Sequence, residues 1–347
     1  MIISDFKIIN PSGMKNWNEL ILNFPDYSFF HSSSWSAVMR DTYNYKPSYF
    51  IIIENGVLKA AIPLMIVDSL ITGNRAVSLP FSDYCEPLVD KEVNFDYIFE
   101  EIKNFCTGKK LKYFELRGGK NFLNKVERSA FDYNHFLDLT IGEEALFNNL
   151  NSSTKRNIKK AVREGVSVEI SNSISALEDF YKMNCVTRKK HGLPPQPKKF
   201  FKNLYVHIIS KNEGFIALGK YNGACIGSAL YLHIGKKALY KFGASYMEYQ
   251  NLRANNLIMW DVIKYYANKG YESFSFGRTE PENEGLRRFK LGFGTHEEVL
   301  HIYRYNFTKR DFLPLKTKTT GLHNKIFNKI PLPILKIFGS IFYRHFG

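Results

Sequence analysis

One motif occurs twice in this chain, and its repetition limits what the chain can fold into. Residues 49–53 and 57–64 are apolar runs on either side of Asn55-Gly56, and residues 215–218 and 224–232 flank Asn222-Gly223 in the same way, 167 residues downstream. Asn-Gly between two such runs is the strongest short-range hairpin signal, because both central residues of the favoured turn need positive φ. A helix followed by a strand also recurs: 97–105 leads into 111–117, and 257–267 leads into 271–278, both strands ending on a Gly or Arg position. Each half thus reads helix, hairpin, further strand, helix, strand. That order predicts an α/β (α+β) layered fold around a mixed sheet, present twice.

The chain has room for both copies. Its 347 residues are 44% hydrophobic and 15% aromatic, enough for two cores. Between the halves, 152–164 reads as a helix with a start signal at Ser153 and Thr154, a stop at Gly165, and a following strand through Val166, Val168 and Ile170. The expected division is 1–145 for the first lobe, 146–310 for the second and 311–347 for a basic tail. The order of elements suits two tandem acetyltransferase (GNAT)-like lobes.

Cys85, Cys106, Cys185 and Cys225 lie far apart, which predicts buried thiols and no metal site. The first ten residues carry charge within a short apolar run and lack a secretory pattern, so a cytoplasmic location is expected. A net charge of +15 and a pI near 9.4 suit an anionic partner: nucleic acid, phospholipid or a phosphorylated substrate. Abundant Lys, Asn, Ile and Phe also fit an AT-rich coding sequence, so part of that charge needs no functional reason. No RNA- or DNA-binding motif of recognised spacing occurs, and DNA is not an expected partner. The chain contains no HExxH, Walker loop or GxSxG, leaving metallohydrolase, kinase and serine hydrolase chemistry without support.

Three stretches resemble the Fem family of peptidyl- and aminoacyl-transferases, and more closely its relatives in bacterial exopolysaccharide loci. They are FFHSSSWSAVMR (29–40) with SLPFSDY (78–84), SSTKRNIKKAVREG (152–165), and the run from Tyr240 through Trp260 and Phe274 to Arg278, Gly285, Leu286, Phe289, Lys290 and Gly294. The resemblance spans roughly residues 11–305 and implies transfer of an aminoacyl or acyl group onto an amine of a cell-envelope precursor such as a peptidoglycan intermediate. Amine attack on an ester or thioester needs phosphate anchors, stabilisation of the carbonyl oxyanion and an exit for a proton.

On this resemblance Lys290, with Phe289, stands where the family has a Phe-Lys pair before a glycine-rich turn, and is implied to hold the tetrahedral intermediate or the donor's terminal nucleotide. Without it, Lys290 beside Arg287 and Arg288 would read as a solvated helix face. Arg156, Lys160 and Arg163 share one helical face, with Ile158, Ala161 and Val162 on another, so Arg156 and its neighbour Lys155 are candidate phosphate ligands. Arg188, in the proline-rich TRKKHGLPPQP segment (187–197), and Arg40 are candidate clamps for the acceptor's diphosphate, a helix-end cation being the plainer reading of Arg40. Asp83 and Glu248 are candidate proton acceptors, neither marked out by its spacing.

Acetyltransferases that use acyl-CoA hold its pyrophosphate on a glycine-rich loop at a helix N-terminus. Here that loop is QNLRANN (250–256), without glycine, and Asn255 or Asn256 is expected to cap the next helix. No tightly bound cofactor is expected. The activated donor stays open among aminoacyl-tRNA, acyl carrier protein and acyl-CoA; many tRNA-using members carry a coiled-coil arm, and this chain has no heptad insertion. The expected acceptor is a phosphorylated or lipid-linked envelope precursor. The alternative is a non-catalytic acetyltransferase-like protein that binds an anionic envelope polymer or a membrane surface.

Residues 312–347 contain Lys316, Lys318, Lys325, Lys329, Lys336 and Arg344 and no acid. Ile334, Leu335, Phe338, Ile341 and Phe342 are predicted to form one apolar helical face opposed by Lys336, Ser340 and Arg344. That pattern suits an anionic membrane surface and a peripheral location, and is too short to span a bilayer.

Overall fold

The computed structural model describes residues 6–315 and 322–347, so Lys316 and Lys318, together with the side chain of Lys325, lie outside the described residues. Two compact units emerge: Met1–Asp132, Val299–Thr317 and Phe342–Gly347 form the first, and Tyr133–Glu298 with Lys318–Ile341 the second.

The first unit begins with β1 (Phe6–Ile9), α1 (Trp17–Ile21) and α2 (Ser33–Tyr43). α2 starts where the Ser32 hydroxyl accepts from the Trp35 amide at 3.1 Å, and stops where Asn44 turns left-handed at φ 60°. Then come β2 (Lys46–Glu54), β3 (Val57–Val67), β4 (Arg75–Ser78), the short β5 (Leu88–Val89), α3 (Phe95–Gly108) and β6 (Tyr113–Arg117). The strands run in the order β1-β2-β3-β4-β6, antiparallel up to β4 and parallel from β4 to β6, with α3 as the crossover. Phe95, Ile98, Phe99, Ile102 and Cys106 make the buried stripe by which α3 covers this sheet.

The second unit contains β7 (Ala130–Asp138, from Tyr133 on), α4 (Glu143–Asn149), α5 (Ser152–Arg163), β8 (Ser167–Ser171), α6 (Ile174–Lys190), α7 (Lys198–His207), β9 (Gly214–Tyr221), β10 (Ala224–Ile234), β11 (Lys237–Ser245), α8 (Ala254–Asn268), β12 (Ser273–Ser275) and α9 (Glu284–Leu291). Its order β8-β9-β10-β11-β12 repeats the first unit: antiparallel to β11, then parallel to β12 across α8. Both Asn-Gly hairpins form as expected, with φ 50° and 79° at Asn55 and Gly56 and 48° and 78° at Asn222 and Gly223. Each sheet gains one more antiparallel strand beyond its crossover. In the second unit this is β7 on β12, and in the first it is β13 (His296–Asn306, from Val299 on) on β6, followed by the two-residue β14 (Asp311–Phe312). The fold is that of two tandem acetyltransferase-like lobes.

Several local expectations need correction. α5 is capped by Asn151, whose carboxamide oxygen accepts from the Thr154 amide at 2.7 Å, so Ser153 and Thr154 lie inside the first turn. α8 starts at Ala254 after a left-handed Arg253 (φ 60°), so neither Asn255 nor Asn256 caps it; tertiary packing of Ala254, Leu257 and Ile258 sets that start. The strand expected over 271–278 is in the ladder only at Ser273–Ser275, because Gly277 turns to φ 69°.

The tail forms α10 (Leu322–Lys329) and α11 (Leu332–Phe342). Its apolar face is only partly covered. Leu335 is buried, a Cβ on Gly339 would lie 2.0 Å from the Pro195 carbonyl, and Phe338 packs on Phe327, while Ile334, Ile337 and Ile341 remain 55%, 60% and 53% exposed. No helix among the described residues is long and apolar enough to cross a membrane.

Candidate functional site

The departure of the chain from the ladder at Gly277 creates the most unusual feature of the second unit. Between the pairing of Phe276 with His135 and that of Thr279 with Tyr133, the Lys290 ammonium donates to the carbonyls of Gly277 and Arg278 at 2.6 and 3.0 Å. Lys290 is only 1% exposed, so the solvated-face reading fails: α9 turns this position inward and leaves Arg288 outside. Burying an ammonium is costly unless its donors are met, and here backbone acceptors supply at least two partners.

α9 is short but well fixed. Asn283 caps it by accepting from the Leu286 amide at 3.2 Å, and Phe289 packs edge-on against Phe293 with centroids 5.3 Å apart. The turn that follows needs its glycines. A Cβ at Gly292 would fall 2.6 Å from the Thr154 hydroxyl; Gly294, at φ 74°, would press one 2.8 Å from the Asn149 carbonyl. The Asn151 amide also donates to the Gly292 carbonyl at 3.0 Å, so the start of α5 and the end of α9 are locked together.

Around Lys290 stands a network that no local pattern announced. Arg287 grips Glu297 through two 2.6 Å hydrogen bonds and lies 4.2 Å from the Tyr133 ring centroid. The Glu297 Oε2 that accepts from Arg287 Nε also meets His135 Nε2 at 3.0 Å. Hydrogen bonding from Arg287 holds the Glu297 carboxyl below its usual range. Burial, reinforced by the Lys290 charge, pushes His135 down to about 4 from 6.5, against the opposing pull of Glu297. His135 is therefore neutral near pH 7, its Nε2–H directed at the carboxylate and its buried Nδ1 without a hydrogen-bond partner among the described residues. His135 and Glu297 are 162 residues apart in sequence, on β7 and β13.

This predicts a pH effect with a definite sign. Between about pH 6.5 and 4 the unfolded chain binds a proton that folded His135 refuses, so stability falls as pH drops through that window, by at most about 3 kcal/mol. Thermal unfolding from pH 7 to pH 4 should decline less steeply for His135→Asn than for the natural chain; parallel declines would exclude His135 as the cause.

The other candidates are dispersed. Lys155 donates to the Asn148 carbonyl at 2.9 Å and lies over the Phe147 ring, so it satisfies the end of α4, whereas Arg156 on the same helix is exposed. Arg188, half-buried in the last turn of α6, reaches the Pro194 carbonyl at 3.4 Å. Asn255 donates to the Ser245 hydroxyl at 3.2 Å, and Glu248 is exposed before α8. Arg40 and Asp83 belong to the first unit. Arg40 pairs with Asp41 at 2.7 Å beside a cavity of about 470 Å³ bordered by Asn44, Tyr45 and Pro47, and Asp83 is half-buried. The four cysteines are unpaired, three of them buried; among the described residues no cluster of His, Cys, Asp and Glu could hold a metal.

Comparison with known proteins agrees with this architecture. Residues 149–294 match the acetyltransferase (GNAT) domain family. The chain is 22% identical over 158 residues to UDP-N-acetylmuramoylpentapeptide-lysine N(6)-alanyltransferase of Weissella viridescens, covering 46% of this chain and 43% of that one. It is 27% identical over 135 residues to the lipid II:glycine glycyltransferase of Staphylococcus haemolyticus, covering 37% and 31% respectively. The matched stretch thus spans less than half the length of either relative. Among solved structures, FemX aligns with a TM-score of 0.72 at 14% identity over 87% of this chain and 97% of that one. A tandem GNAT protein from the clavulanic acid biosynthesis pathway aligns at 0.56 and 10% identity, over 87% and 98%.

Proposed function

We propose that this chain, a relative of the Fem-type transferases, moves an aminoacyl group onto an amine of a phosphorylated or lipid-linked cell-envelope precursor. The observation that carries the reading is Lys290: the second residue of the Phe-Lys pair is buried on two backbone carbonyls within the stretch that matches an acetyltransferase domain. Both curated relatives named above are aminoacyl transferases, one alanyl and one glycyl. In the proposed step the acceptor amine attacks the ester carbonyl of the donor, an amide forms as the C–O bond breaks, and the amine's proton leaves with the released hydroxyl. The Lys290 charge favours the oxyanion that develops in between. Arg188 holds an acceptor phosphate and Arg156 and Lys155 the donor's, with Asn255 at the donor loop and Glu248 a candidate proton acceptor. A charged tRNA is the donor we favour over acyl-CoA or acyl carrier protein, since the loop before α8 has no glycine and the net charge of +15 suits a polyanion.

The test is incubation of purified protein with charged tRNA and an isolated lipid-linked or nucleotide-linked precursor. Mass spectrometry should show the precursor heavier by one amino-acid residue. If no tRNA, acyl carrier protein or CoA donor gives a product while the precursor still binds, the alternative of a non-catalytic binding protein replaces this one.

The tail supports a peripheral position on the cytoplasmic face of an anionic membrane. Ile334, Ile337 and Ile341 project from α11 more than half exposed, and each Lys or Arg close to anionic lipid contributes about 1 kcal/mol. Changing these three isoleucines to serine together should abolish salt-sensitive co-sedimentation with anionic vesicles and leave the unfolding temperature unchanged. Equal partitioning of both proteins would reject a membrane role for the tail.

A further inference from the structure

A second binding feature lies between α6 and α7, apart from the Lys290 network. On α6, Ile174, Leu177, Glu178 and Tyr181 follow one another at helical spacing, and Phe201 of α7 faces them, its ring 5.2 Å from that of Tyr181. The groove they enclose holds about 460 Å³, within the range of sites for small molecules. Leu177 and Phe201 are buried and form its base; Ile174 stands half-exposed at the mouth.

The rim is charged almost entirely in one sense. Lys198, Lys199 and Lys202 border the groove, all exposed, against the single carboxylate of Glu178, which lies 3.9 Å from Lys198. These lysines occupy the opening turns of α7, which has no acidic residue in its first turn and no side-chain cap at Pro197. Cations there oppose the helix dipole and repel one another, a local misfit that an incoming anion removes. An apolar slot under a surplus of positive charge is complementary to an anionic amphiphile, and less so to a neutral lipid or to a free anion.

The surroundings select the source. Lys336 of α11 lies 5.6 Å from the ring centroid of Tyr181, one of the groove's lining residues, so the helix carrying the exposed Ile334 and Ile337 packs next to the groove without lining it. We propose that the groove takes one acyl chain of an anionic glycerophospholipid, its phosphate meeting Lys199 and Lys202 and its chain lying between Ile174, Leu177 and Phe201. The inference builds on the peripheral-membrane reading of the tail and adds a specific lipid site to it.

The test uses the full chain and a short-chain phosphatidylglycerol kept below its micelle concentration, followed by calorimetric titration. The phosphatidylcholine of equal chain length, glycerol 3-phosphate and inorganic phosphate serve as controls. Phosphatidylglycerol should bind at least tenfold more tightly than each control. Ile174→Trp, which fills the mouth from a half-exposed position, should weaken it at least tenfold, and Lys199→Glu with Lys202→Glu should erase the preference over phosphatidylcholine. The site is overturned if Ile174→Trp binds normally, if phosphatidylcholine binds equally well, or if phosphate alone accounts for the affinity. Because dissolved lipid needs no tail insertion, unchanged vesicle binding in the triple-serine chain with groove binding intact would strike the tail reading only. Vesicle binding without uptake of dissolved lipid would strike the groove only.

Discussion

Lys290→Met should retain the folded structure and lose transfer by on the order of 10²-fold or more, chiefly in kcat. Methionine fills nearly the same volume, so the packing of α9 survives, while the Gly277 and Arg278 carbonyls lose a charged donor. That loss costs about 1–3 kcal/mol of stability, the ordinary result of stripping a buried acceptor. Two measurements separate electrostatic catalysis from mere support of the backbone. If the ammonium acts on the developing oxyanion, kcat falls with KM nearly unchanged; if it only holds the Gly277–Arg278 peptide in place, KM rises and kcat is largely kept. Near-normal turnover in the purified variant would remove Lys290 from the mechanism.

Glu115→Ala should give the largest loss of stability in the first unit. Glu115 sits on β6 with its carboxylate almost fully enclosed, accepting from Arg117 at 3.0 Å and from Arg304 at 3.0 and 2.5 Å, and Arg304 also stacks on Tyr113. Burial pushes this carboxyl up, but Arg117 and Arg304 outweigh it and hold it down to about 2. Removing it leaves two guanidiniums side by side in a poorly solvated place, a change that costs roughly 3–5 kcal/mol. Its unfolding temperature at pH 7 should drop by on the order of 10 °C. Since the folded value lies below the unfolded one, the natural chain gains this stability above about pH 4.5 and loses it as pH falls toward 2. The gap between the two proteins should therefore narrow at pH 3; a gap that stays constant would show that packing, not charge, is responsible.

How much of this was legible in the sequence depends on how local each feature is. The Asn55-Gly56 and Asn222-Gly223 turns were, because two adjacent residues determine positive φ without help from the rest of the chain. The helices expected over 97–105 and 257–267 were legible because the same succession of helix and strand occurs in both halves of the sequence. Lys290 was found through the company it keeps in a motif, since charge and neighbours alone pointed to solvent. The His135–Glu297–Arg287 network was not legible, because the pairing of β7 with β12 and the turn after α9 bring these residues together across long separations. The cap of α5 was misplaced by two residues because Asn151, Ser152, Ser153 and Thr154 are all good capping types, and only packing against Gly292 decides among them. The tail's apolar face was legible, but not how much of it is covered: Gly339, with no side chain, marks the side that approaches Pro195 most closely, and Ile334, Ile337 and Ile341 stay exposed.

The strand that completes the sheet of the first unit has a consequence for how the protein is made. β13 pairs with β6, yet its residues leave the ribosome only after the whole of Tyr133–Glu298 has been synthesised. At about 5–20 residues per second that interval lasts roughly ten to thirty seconds. During it the early part of the chain waits with the edge of β6 unpaired, while the later part already has every strand of its own sheet. The order of maturation is thus expected to run against the order of translation, and a nascent chain released before residue 299 would present an open sheet edge to chaperones or to other copies of itself.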